Sequence, residues 1–170
     1  MLSKKLEKAL NAQINAELYS SYLYLSMASH FSAAGLAGCA NWMQQQAQEE
    51  LFHAMKMFGY VNDRGGRVLL ESIDKPPQQW KTTLQVFEDV LSHEQKVTGL
   101  INNLVDLAIA EKDHATNNFL QWFVAEQVEE EDNAGNLVNK LKLIGKDANG
   151  LFMLDTELAQ RKFVLPATGE

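Results

Sequence analysis

Apolar residues return at helical spacing in four long stretches, about 4 to 33, 39 to 64, 81 to 111 and 114 to 144. The breaks between them differ in length. Gly35 to Gly38 and Glu111 to Asp113 are short, which makes the first and second helices antiparallel neighbours, and likewise the third and fourth. The middle connection runs from Gly65 and Gly66 through Pro76 and Pro77 to Trp80, sixteen residues that span roughly 50 Å when extended. A second helix of 26 residues is only about 39 Å long. The connection therefore reaches across the whole bundle and sets the second and third helices parallel. Beyond Gly145 and Gly150 a short amphipathic segment carries Leu154, Leu158 and Phe163, a fifth helix too short to stand alone. One domain over residues 1–163 is expected, followed by a tail at 164–170. Its Leu165-Pro166-Ala167-Thr168-Gly169 resembles a sortase recognition motif. Without the apolar segment and basic end of a wall-sorting signal, the tail is expected to be disordered or tag-like, outside the fold.

The four helical stretches do not keep their stripes purely apolar. At 100° per residue, Leu10, Ile14, Ser21, Tyr24 and Ala28 fall on one line of the first helix, and Glu17 lies inside it. On the second, Met43, Glu50 and Met57 are seven apart, and His53 follows Glu50 by one turn, forming a Glu-x-x-His pair. Phe87, Glu94, Ile101 and Ala108 repeat the spacing on the third. On the fourth, Phe119, Phe123, Leu137 and Leu141 frame Glu130, with Gln127 one turn before it. A single glutamate at a stripe edge is ordinarily a surface residue whose head reaches water. Four helices that each draw one inward are a different matter.

Burying a carboxylate costs several kcal/mol, so four together consume much of a domain's roughly 5 to 15 kcal/mol of stability unless something neutralises them. No Lys or Arg shares these stripes. Four negative charges match two divalent cations, and a donor set of carboxylates with one imidazole suits iron or manganese, with zinc able to compete. Tyr24 and Trp122 are aromatic candidates for a place behind the ligands, although ordinary core packing explains either one. His30, His93 and His114 have no carboxylate at convincing spacing, and Cys39 fits a small core or helix-start position.

Charge and cysteine content narrow the partners. Fifteen Lys and Arg against twenty-two Asp and Glu give a net charge of -7, which repels a phosphate backbone, so no nucleic-acid partner is expected. One cysteine supplies neither an intrachain disulfide nor a four-thiolate iron module. The start, Ser3-Lys4-Lys5-Leu6-Glu7-Lys8, lacks the apolar region of an export signal, and no run of about 18 apolar residues occurs. The expected location is cytoplasmic, with no membrane partner.

Several segments resemble those of the prokaryotic non-haem ferritins: Asn15-Ala16-Glu17-Leu18-Tyr19-Ser20-Ser21-Tyr22, Ala47-Gln48-Glu49-Glu50 with His53, His93-Glu94-Gln95, Asn118-Phe119-Leu120-Gln121-Trp122-Phe123, and Glu126-Gln127-Val128-Glu129-Glu130. The resemblance implies an all-α, ferritin-like four-helix bundle with one long crossover between helices two and three and a short C-terminal fifth helix. That crossover is the connection for which ferritin-like folds are themselves the standard example. It implies Glu17, Glu50 and His53 around a first iron, Glu50 as the bridge, Glu94 and Glu130 around a second, and Gln127 beside it. Glu49, Glu126 and Glu129, with Glu130, would correspond to a third iron site, where the residues alone fit a solvated acidic patch equally well. The activity implied is ferroxidase: Fe(II) is oxidised to Fe(III) by dioxygen or hydrogen peroxide, and ferric oxyhydroxide mineral is stored inside a hollow shell. The implied shell has twenty-four copies in octahedral symmetry with the fifth helix at the four-fold axis. Gln127, Glu130 and Leu51 replace the second Glu-x-x-His and the haem-ligating Met of bacterioferritins, so no haem is expected. Asn117 and Leu120 stand where animal ferritins carry channel carboxylates, so the likeness does not supply an iron entry route. A di-iron or di-manganese oxidase or peroxidase acting on an external substrate, and a non-enzymatic metal buffer or structural cage, are the competing functions.

Overall fold

A computed structural model of the chain describes residues 2–165; the motif positions Pro166 to Gly169 lie outside the described residues. Five helices are present: α1 (Lys4–Ala33), α2 (Ala37–Asp63), α3 (Thr83–Ala110), α4 (His114–Ile144) and α5 (Ala148–Leu158). Four have a side-chain cap on their orphan amide groups. Ser3 accepts from Leu6 N, Thr82 from Gln85 N, Asp113 from Thr116 N, and Asp147 from Asn149 N and Gly150 N. The exception is α2, whose N-cap Leu36 offers no side-chain acceptor. Its first turn is served from a distance: Cys39 N donates to Asp155 Oδ1 of α5 at 2.8 Å. Cys39 itself is fully buried there, and burial, reinforced by Asp155, pushes its thiol above its ordinary range.

Two turns close the antiparallel pairs. Gly35, at φ 77°, takes the left-handed conformation that ends α1. Lys112, at φ 55°, does the same after α3, with Asp113 N returning to Ala108 O at 2.9 Å. α1 packs against α2, α3 against α4, and α1 also against α3.

The core divides into two apolar clusters. One joins Leu6 and Leu10 of α1 to Met57 and Val61 of α2, Ile101 and Leu104 of α3, and Leu120 of α4. The other joins Phe31 of α1, Met43 of α2, Phe87 of α3, Leu141 of α4 and Leu154 of α5. Both α2 and α3 thus start in the second cluster and end in the first, which makes them parallel. The connection between them runs the length of α1: Asn11 holds Arg67 O and Leu69 N near one end, and Ser26 Oγ donates to Pro77 O near the other. Trp80 anchors its far end, with its indole N–H on Asp89 Oδ2 at 2.9 Å. Among the described residues, no helix is long and apolar enough to cross a membrane.

Candidate metal centre

Between the two apolar clusters lies a polar band. Glu17, Glu50, His53, Glu94, Gln127 and Glu130 are each no more than 5% exposed. Each sits where the apolar rows of its own helix pass from one cluster to the other: Glu17 between Ile14 and Leu23, Glu94 between Val90 and Val97, and Glu130 between Phe123 and Ala134. The same packing that buries those neighbours buries the carboxylates.

Ligand atoms of Glu17, Glu50 and His53 lie within 4.8 Å of one another. His53 Nδ1 stands 3.6 Å from Glu50 Oε2. Glu17 Oε1 accepts from Gln13 Nε2 at 2.9 Å, while its Oε2 is buried without a hydrogen-bond partner. On the other side of the band Tyr24 donates its hydroxyl proton to Glu94 Oε1. Gln127 Nε2 reaches Glu94 Oε2 at 3.3 Å and Glu94 O at 3.2 Å. Gln46 Nε2 lies between two more carboxylates, 2.7 Å from Glu130 Oε2 and 3.4 Å from Glu50 Oε1.

Gln13 and Gln46 were absent from the sequence reading. Each precedes a stripe glutamate by four residues, so the spacing that exposed Glu17 and Glu50 also marks their amide partners. His93, which the sequence left without a role, is bonded to Ser20 Oγ at 2.8 Å and meets Tyr24 edge-on. Burial, helped by the Lys96 charge, lowers its pKa to about 4, so it is neutral near pH 7. Trp122 packs edge-on to His53, with ring centroids 5.4 Å apart.

The electrostatics follow from the missing bases. Among the described residues no Lys or Arg forms an ion pair with Glu17, Glu50, Glu94 or Glu130. Burial raises all four pKa values. For Glu50 the neighbouring Glu94 and Glu17 add to it, and for Glu130 the neighbouring Glu50 and Glu94 do. Glu94 rises to about 7 through burial, against the hydrogen bonds from Tyr24 and Gln127. Such a set either holds protons or exchanges them for cations. The orphaned Glu17 oxygen beside Glu50 and His53 fits one hard cation, and Glu94 with Glu130 offers oxygen donors for another. Mostly oxygen donors with one imidazole suit Fe(II) better than soft-metal chemistry does.

The model of the ferritin-like domain family matches residues 7–144. The chain belongs to that family. It is 50% identical over 161 residues to a bacterial non-heme ferritin of Bacteroides fragilis, covering 95% of this chain and 100% of that one. A bacterial non-heme ferritin of Staphylococcus haemolyticus is 44% identical over 163 residues, with 96% of this chain and 98% of the relative covered. Among solved structures, an open-pore ferritin from the archaeon Archaeoglobus fulgidus superposes with a TM-score of 0.94 at 57% identity, covering 95% of this chain and all of its own. A closed form of the Archaeoglobus fulgidus ferritin, engineered by site-directed mutagenesis, gives a TM-score of 0.96 at the same identity, covering 96% and 100%.

In this ferritin-like chain the four residues expected at a third position lie near one another but do not all face one point. Ligand atoms of Glu49 and Glu126 lie within 4.8 Å of one another and of His53. Glu129 is exposed, and Glu130 turns inward to Gln46. The outer group thus shares His53 with the inner one. Burial raises Glu126, with the nearby His53 opposing the shift. Glu49 carries a partner that the sequence did not reveal: Arg161 Nη2 binds its Oε2 at 2.7 Å.

Proposed function

We propose that this chain is the subunit of an iron-storage ferritin whose inner carboxylate band binds two Fe(II) ions as substrate and oxidises them with dioxygen. The observation that carries the reading is the convergence of four buried glutamates, one from each long helix, with no Lys or Arg paired to them among the described residues. Glu17, Glu50 and His53 hold one ion, Glu94 and Glu130 the other, and Glu50 lies between them. Each Fe(II) gives up one electron and dioxygen accepts the pair. Anionic donors favour the Fe(III) product electrostatically, and the amide groups of Gln13, Gln46 and Gln127 keep the carboxylates aimed inward.

The second half of the site has no imidazole: Gln127 meets Glu94 where a histidine would add a ligand. The second ion is therefore held more weakly, as suits a position that releases its product. Ferric oxyhydroxide then accumulates within a hollow shell of twenty-four copies in octahedral symmetry, with α5 at the four-fold axis. We place this iron handling in the cytoplasm, where members of the ferritin family are generally found.

An oxygen electrode tests the reading. Assembled protein loaded with Fe(II) anaerobically and then mixed with dioxygen consumes it rapidly and retains mineral, and Glu50→Ala loses the rapid phase. Oxygen uptake without retained mineral points instead to an oxidase of an external substrate. Iron binding without oxygen uptake points to a passive buffer. Gel filtration at the mass of a monomer or dimer contradicts the shell.

A further inference from the structure

The segment that follows α5 crosses α2 as a strap. Asn41 Nδ2 of α2 donates to Leu158 O at 3.1 Å and to Arg161 O at 3.0 Å, and Phe163 N donates to Gln45 Oε1 at 2.8 Å. Phe163 then meets Phe52 with ring centroids 6.0 Å apart. These contacts fix the backbone on both sides of Arg161. Its guanidinium lies 4.4 Å from the centre of the Trp42 ring and donates from Nη2 to Glu49 Oε2 at 2.7 Å. The other terminal nitrogen, Nη1, is buried without a partner.

Glu49 belongs at the same time to the outer group with His53 and Glu126. The carboxylate that Arg161 holds through Oε2 is thus the same one that the outer group would offer to a metal ion. A guanidinium fixed by a strap and an aromatic face loses little entropy in forming its ion pair. A divalent ion that enters the outer group either displaces that pair or shares the carboxylate with it, and in both cases sits close to a fixed positive charge.

We propose that Arg161 is a positioning residue that sets the affinity of the outer group: it holds Glu49 as an internal counter-ion, so that metal occupies Glu49, His53 and Glu126 in passing rather than as a resident. Because His53 serves both groups, weak outer binding also leaves this imidazole to the inner ion. The strap is thus a part of the site delivered by the chain's far end. The inference rests on the metal-binding reading of the inner band, and the two fail separately.

Anaerobic calorimetric titration of the assembled, iron-free protein with Zn(II), which carries no redox step, tests it. Wild-type protein fills the inner positions and shows a weaker outer class. Arg161→Gln tightens that outer class by about tenfold or more, the size expected when a close charge pair is broken, and Arg161→Lys, which keeps the charge but not the planar group on Trp42, falls between the two. Glu49→Gln abolishes the outer class, and adding Arg161→Gln to it produces no gain. Outer binding that is unchanged or weaker in Arg161→Gln, in protein that assembles with native helicity, overturns the role of Arg161. Wild-type protein that binds no Zn(II) at the inner positions overturns the metal centre itself, and this inference with it.

Discussion

The phenol of Tyr24 on α1 donates a hydrogen bond to Glu94 Oε1 on α3, and neither residue is more than 1% exposed. This bond ties together the two helices that carry opposite ends of the carboxylate band. Tyr24→Phe keeps the ring packed near Trp42 but leaves a buried carboxylate oxygen short of a donor. The expected loss is about 1 to 3 kcal/mol of unfolding free energy, read from denaturant midpoints on protein stripped of metal. A variant as stable as wild type would show that the phenol contributes no net stability to the band.

Gln46 spans Glu130 and Glu50, one amide nitrogen facing two acids. Replacing it by Leu removes the amide donor that these two glutamates share among the described residues and lets their repulsion act unopposed. Gln46→Leu should lose about 1 to 3 kcal/mol in metal-stripped protein and regain most of it at saturating Zn(II), when cations take over the cancellation. Equal losses with and without metal would assign Gln46 to packing alone.

The raised carboxylates fix the direction of the pH response. Glu94 moves from 4.5 to about 7, and Glu50 and Glu130 also lie well above their ordinary range, chiefly through burial. Between those values the folded chain binds more protons than the unfolded one, so stability falls as pH rises. The advantage is complete below about pH 4.5 and is lost through pH 7 and beyond. Metal-stripped protein at fixed concentration should therefore melt at a higher temperature near pH 5.5 than near pH 8. Glu94→Gln flattens the slope, and saturating Zn(II) removes it by displacing the protons. A melting temperature that rises over this interval contradicts the assignment.

The features legible in the sequence were those that repeat with the helix. The predicted spans 4 to 33 and 114 to 144 coincide with α1 and α4, because Ser3 and Asp113 cap where the apolar rows begin. The start of α2 was misplaced at 39 rather than Ala37, since its first turn leans on Asp155, more than a hundred residues away. The same distinction divides the site. Glu17, Glu50, Glu94 and Glu130 lie on apolar rows and could be read from periodicity. Arg161 lies beyond the last helix, in no row, and its meeting with Glu49 depends on how α5 docks. The partition of His53 between two groups is likewise a tertiary fact, because spacing along α2 pairs it with Glu50 and says nothing of Glu126 on α4.

That docking hinges on one glycine. A Cβ built on Gly38 would stand 1.6 Å from Asp155 O and 2.5 Å from its carbonyl carbon. Both are backbone atoms, so no rotamer change relieves the clash. Gly38 lets α5 lie directly on the first turn of α2, where Asp155 Oδ1 reaches Cys39 N. Gly38→Ala should force α5 away, removing that distant cap and the burial of Leu154 and Leu158 together. The four long helices keep their own packing, so the far-ultraviolet signal should fall little, while hydrogen exchange in α5 and in the strap through Arg161 accelerates sharply. Because the strap carries the guanidinium to Glu49, the same variant should tighten outer-group Zn(II) binding in the direction of Arg161→Gln. A Gly38→Ala protein with α5 still protected from exchange would show that the backbone approach at this position has slack that the structure does not contain.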